Sequence, residues 1–161
     1  MTWLPGVAAA GNDWDALASR WPKAMDALAG LVRAAWEDTD PSLLELARLR
    51  TATLLRNEAE LASRTARAGL SEDKVAQLPA WPSSPLFDDR ERACLAFTEQ
   101  FIMDANGVTQ GQVDALTGHL GPEGCYAFVH AVSALEAYQR ACLTLGIAGA
   151  PGVDDLEEAR A

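Results

Sequence analysis

Helix-start signals recur along this chain so closely that little room is left for strands between them. Asp40-Pro41 sets an N-cap before a proline at the first helical position, and Asp88 with Glu91 and Thr109 with Gln112 have the spacing of capping boxes. Pro22 fits the first turn of a helix through Met25, Leu28, Leu31, Val32 and Trp36, preceded by a shorter helix after Asn12 or Asp13. Gly69 ends the helical region that Asp40 opens, and Ser71 caps a short helix through Val75 and Leu78 before the uncharged loop PAWPSSP. Gly121-Pro122 opens a last helix that runs about to Leu145 and stops at Gly146. No run of alternating β-branched residues interrupts this series, so the expected fold is an all-α helical bundle.

A chain of 161 residues fits one domain with a real core, expected over residues 1–148, with an acidic tail at 149–161. A formal charge of −10 argues against nucleic acid or an anionic membrane as partner, because such binding needs clustered Lys and Arg. The N-terminal segment has neither the basic start nor the apolar run of a signal peptide, and no stretch is apolar enough to span a membrane, so a cytoplasmic protein is expected. Cys94, Cys125 and Cys142 are odd in number, far apart and set in apolar helical stretches, the pattern of reduced core thiols.

Glu60 and Arg64 are spaced for an ordinary helix-surface ion pair, acid on the N-terminal side. His119, at a helix end, suits interaction with terminal carbonyls, whereas His130 lies inside the last helix and is the best general-base candidate, with a satisfied core histidine as the competing reading. There is no Glu-x-x-His, no His-x-x-x-His, no phosphate loop and no nucleophile elbow, so neither metal nor cofactor is expected. Leu95, Phe101, Phe128, Val132, Leu135 and Leu143 read as packing. Small residues on several sides of the last helix (Ala127, Val129, Ala131, Ala134 and Ala137) suggest burial between subunits.

The stretch LLELARLRTATLLRNEAELASR, Leu43 to Arg64, together with Trp3 to Pro5, Ala68 to Phe101 and Ala134 to Gly146, resembles alkyl-hydroperoxidase D-like proteins of the carboxymuconolactone decarboxylase superfamily. Their site helix reads roughly E-L-x-R-L-R, six residues, then C-x-x-C-x-x-x-H. Glu45, Arg48 and Arg50 match its start, but Asn57 and Glu60 stand at the two thiols, Ala59 and Arg64 stand where histidines can occur, and the loop to Gly69 is about three residues short. In the last helix Glu136 and Tyr138 stand where the family often has Asn and Trp, and Arg140 matches an Arg. The resemblance implies an AhpD-like bundle, a homo-oligomer (dimer, trimer or hexamer), and a break after the site helix that folds Glu45 back toward positions 57 and 60.

Without the thiol pair, thiolate attack and resolution are closed at the motif. One reading is then a carboxymuconolactone decarboxylase-like enzyme doing non-thiol, acid–base decarboxylase or lyase chemistry on a small, anionic ligand. Glu45, His130 and Glu60 would move protons, and Arg48, Arg50, Arg64, Arg140, Asn57 and Tyr138 would bind the substrate. The alternative is a non-catalytic or ligand-binding descendant of the fold. A thiol peroxidase with relocated cysteines is the third.

Overall fold

Each long helix begins where the sequence places its cap. In a computed structural model that describes residues 13–147, the elements are α1 (Asp13–Arg20), α2 (Pro22–Asp38), α3 (Pro41–Leu55), α4 (Glu58–Ala62), α5 (Glu72–Ala76), α6 (Asp89–Met103) and α7 (Gln110–Leu145), with three short 3₁₀ turns and no strand among the described residues. Asp40 accepts from the Ser42 amide at 2.9 Å, and both capping boxes are formed, at Asp88 with Glu91 and at Thr109 with Gln112. The fold class is all-α, as the succession of caps implies. Trp3 to Pro5 and the acidic tail at 149–161 lie outside the described residues.

The two segments expected on either side of Gly121 run on as α7, interrupted by non-helical backbone at Gly121 (φ 72°, ψ 169°). Glycine reaches that left-handed φ without Cβ strain, and Pro122 then restarts the helix with no amide to satisfy. The region after α3 is less continuous than the sequence pattern suggests. Arg56 turns left-handed (φ 56°) as the α3 C-cap, α4 is only five residues long, and a 3₁₀ turn precedes Gly69.

Helix α3 is the axis of the packing. Its Leu44 joins Trp14, Val32, Trp36, Leu135 and Tyr138 from α1, α2 and α7. Leu43 and Ala47 join Cys94, Phe97, Phe128 and Val132 from α6 and α7. Leu46 and Leu49 join Leu78, Trp81, Phe87 and Leu95 on a third side. All seven residues from Leu43 to Leu49 are therefore buried, although Glu45 and Arg48 are among them. A helix covered all round has no wet face to which a charge can turn, so these two must find partners inside the protein.

On α7, Phe128, Ala131, Val132, Ala134 and Leu135 are buried, whereas Tyr126, Ala137 and Leu143 are exposed, and Ala127 and Val129 are half-buried. The small apolar surface noted in the sequence is thus only partly consumed within one chain.

Candidate functional site

The charged pair on α3 is one helical turn apart, which lets the two side chains meet. Arg48 donates from Nε to Glu45 Oε2 at 2.7 Å and from Nη2 to Glu45 Oε1 at 2.8 Å, a two-pronged contact that uses both carboxylate oxygens. Glu45 is 1% exposed and Arg48 3%. The rest of the guanidinium points at the segment that folds back over α3. Nη1 donates to Glu60 Oε2 at 2.6 Å and to the Glu60 carbonyl at 2.9 Å, and Nη2 donates to the Ser63 carbonyl at 2.8 Å. All five N–H donors of Arg48 are thereby used.

The fold-back itself is local chemistry. After the left-handed turn at Arg56, the Asn57 amide donates to the Ala52 carbonyl, and the buried Asn57 side chain accepts from the Glu60 amide, capping α4. Asn57 thus has a structural task at the position where the motif carries its first thiol. Helix α4 buries no residue fully, and it is tied to α3 by Arg48, by the Asn57 amide on the Ala52 carbonyl, and by partly buried Leu61 packed beside Leu46 and Leu49.

Two carboxylates on one guanidinium give the trio a formal charge of −1, with Glu45 and Arg48 shielded from water and Glu60 at its edge. Burial works to lower the Arg48 pKa, but the hydrogen bonds and charges of Glu45 and Glu60 outweigh it, and the guanidinium is held above its ordinary value. Two α7 side chains lie within electrostatic reach of Glu60. Burial, helped by Cys142 and Glu60, pushes the Tyr138 hydroxyl well above the usual range. Burial and Glu60 likewise push the Cys142 thiol up to about 12. Tyr138 also packs against Trp14, with ring centroids 5.7 Å apart. Fully buried Gln139 donates to the Arg48 carbonyl at 3.1 Å, locking α7 to α3 beside the trio, while its Oε1 has no partner.

The structure therefore gathers Glu45, Arg48, Asn57, Glu60 and Tyr138 and disperses the other sequence candidates. Arg50 binds Glu99, whose Oε1 also accepts from Trp81 Nε1 at 2.6 Å, so it anchors the proline-rich loop. Arg64 is exposed and donates to the carbonyls of Leu61 and Ser63. The expected Glu60–Arg64 surface pair is thus corrected: Glu60 turns inward to Arg48, where a less hydrated pair interacts more strongly than a surface pair. Arg140 pairs with Glu136 along α7 and reaches the Ile102 carbonyl at the end of α6. His119 is exposed in the turn before the Gly121 break. His130 is half-buried, with no hydrogen bond or ion pair to Glu45. It precedes Gln139, where α7 meets Arg48, by nine residues, or roughly 13 Å of helix rise.

The three cysteines are buried free thiols, and burial pushes Cys94 up to about 12 despite nearby Arg90. Among the described residues no cluster of His, Cys, Asp and Glu could hold a metal, and no helix is long and apolar enough to cross a membrane. A cleft of about 440 Å³ beside α5 is lined by Asp73, Gln77, Ser84 and Leu86, among others, and contains none of the trio. Gln139, Ser63 and Cys142 were not singled out as site residues from the sequence. Only Gln139 carried a signal, as an uncharged polar residue within the apolar period of α7.

A sequence model of the carboxymuconolactone decarboxylase family matches residues 19–100, a span that includes Glu45, Arg48, Asn57 and Glu60. Among solved structures, the fold is similar to a crystal structure from Agrobacterium tumefaciens, described as a protein of unknown function with a suggested role as antioxidant defence protein AhpD. The match has a TM-score of 0.74 at 20% identity and covers 84% of this chain and 95% of that one. No curated protein matches.

Proposed function

Because the chain belongs to the carboxymuconolactone decarboxylase family, we propose that it performs non-thiol acid–base chemistry of the decarboxylase or lyase type on a small organic acid, with Glu60 as the proton-moving group. The observation that carries this reading is the Glu45–Arg48–Glu60 trio, which places a second carboxylate where the family motif has its second thiol. Glu45 gives both oxygens to Arg48 and acts by fixing the guanidinium rather than as a base. Glu60 offers one oxygen to Arg48 and its side chain is 16% exposed, so it can reach a ligand at the edge of the site. This assignment moves the proton-transfer task from Glu45 and His130 to Glu60.

A second reading, a non-catalytic descendant of the fold, is favoured by one feature: every donor of Arg48 is already used inside the chain. The two part company in a turnover assay. With carboxymuconolactone and related lactone acids in deuterated buffer, we expect carbon dioxide release or exchange of a carbon-bound proton, reduced on the order of 100-fold or more by Glu60→Gln. Turnover untouched by Glu60→Gln would refute the assignment, and the absence of turnover with every such acid would favour the second reading.

A further inference from the structure

We infer that Nη1 of Arg48 is a carboxylate-binding site occupied in the free protein by Glu60 acting as an internal stand-in, and that a small monocarboxylate exchanges with it. The inference deepens the proposed function, because the exchange would free Glu60 beside the bound acid, but carboxylate binding can be measured whether or not turnover occurs.

Three observations separate Glu60 from an ordinary structural partner. First, the two carboxylates on Arg48 are held unequally: Glu45 is gripped through both oxygens on α3, whereas Glu60 offers only Oε2. Second, Glu45 is sealed in, whereas the Glu60 side chain reaches the surface from a five-residue helix that buries no residue fully. A side chain so placed can swing into water while the Glu60 and Ser63 carbonyls stay on the guanidinium. Third, the charge allows exchange but not addition. The trio already carries a formal −1, and another carboxylate beside it would be repelled, whereas one that replaces the Glu60 carboxylate leaves the local charge unchanged. The bond left open would be a charge-assisted N–H···O contact from a guanidinium already aimed by Glu45, so the ligand need not order the site.

Acetate is the probe, because the heavy atoms removed by Glu60→Ala are those of an acetate ion. We expect acetate to raise the midpoint temperature of Glu60→Ala saturably, by about 5 to 10 °C at a hundredfold excess over its dissociation constant, with chloride at equal ionic strength ineffective. The wild type should need a much higher acetate concentration for the same response, since its own Glu60 competes. Glu60→Gln, which keeps the side chain's shape without its charge, should fall between the two and serves if Glu60→Ala does not fold. No acetate-specific shift in whichever of these variants folds, or an equal shift in the variant and the wild type, would overturn the inference. A saturable shift together with no turnover on any lactone acid would sustain it while removing the enzymatic reading.

Discussion

Replacing Arg48 by Met gives the sharpest test of the buried trio. Met fills much of the stem volume of arginine but carries no donor, so Glu45, 1% exposed, loses both of its hydrogen bonds and remains as a buried charge with no cation. Removing one member of a buried pair generally costs about 3–5 kcal/mol. The other losses are smaller. Glu60 can turn to solvent, and the Glu60 and Ser63 carbonyls belong to residues that are only partly buried and can bind water. A total near 4 kcal/mol in a domain of this size lowers the melting temperature by roughly 10 °C. Urea denaturation at one fixed protein concentration should show a lower midpoint with an unchanged slope. Glu45→Leu combined with Arg48→Met should recover most of the deficit by leaving no buried charge. An Arg48→Met variant within about 1 kcal/mol of the wild type at neutral pH would mean that the pair behaves as a surface salt bridge and would refute the reasoning.

Two further expectations rest on other parts of the fold. Burial pushes Cys94 and Cys142 up to about 12 from an ordinary 9.0, so the native state keeps protons that the unfolded chain releases. Their contribution to stability is therefore complete below about pH 9 and is lost as pH rises toward 12. Melting temperatures measured between pH 8 and 11 should fall more steeply for the wild type than for Cys94→Ala combined with Cys142→Ala; parallel curves would contradict this. We also propose that the protein is a homo-oligomer, because Tyr126 and Met103 are 77% and 75% exposed and α7 leaves small apolar residues at the surface. Light scattering at micromolar concentration should give at least a dimer, and a monomer mass would exclude it.

Much of the scaffold was legible because it is written in short-range rules. A cap acts within four residues, so Asp40, Asp88 with Glu91, Thr109 with Gln112, and Gly146 announce their helix ends whatever packs around them. The site was legible only in part. The resemblance implied that Glu45 approaches positions 57 and 60, and the structure joins Glu45 and Glu60 through Arg48. What sequence spacing misjudged was the partner of Glu60. The four-residue rule pairs it with Arg64, yet that rule describes exposed helices, and α4 is a single short turn lying across a buried guanidinium. Likewise Arg50 and Arg140 looked available for a ligand because their acidic partners, Glu99 and Glu136, become neighbours only through tertiary packing or give no signal beyond an ordinary surface pair. Burial of α3 on every side is a long-range fact, and it is what turns Glu45 and Arg48 from surface charges into a site.

The same geometry predicts what returning the thiols would do. Position 60 sits against Arg48 Nη1, and positions 57 and 60 are the N-cap and third residue of α4, so a thiol at either place meets free helix-start amides, and one at 60 also meets a guanidinium. Both features favour thiolate over thiol, unlike the buried settings of Cys94 and Cys142. Replacing Glu60 by Cys exchanges one potential anion for another and preserves the charge balance at Arg48. Replacing Asn57 removes a cap, at a cost of about 1 kcal/mol. The combined Asn57→Cys and Glu60→Cys variant should therefore fold, form a disulfide across one helical turn on mild oxidation, and consume peroxide in the presence of a dithiol, with a thiol pKa below the ordinary value by titration of its absorbance at 240 nm. Asn57→Cys alone should do none of the redox chemistry, since the thiol beside Arg48 is missing. If the double variant forms no disulfide, or if its thiols titrate no lower than an ordinary cysteine while the fold is intact, Arg48 is not delivering its charge to position 60, and the electrostatic account of the trio fails with it.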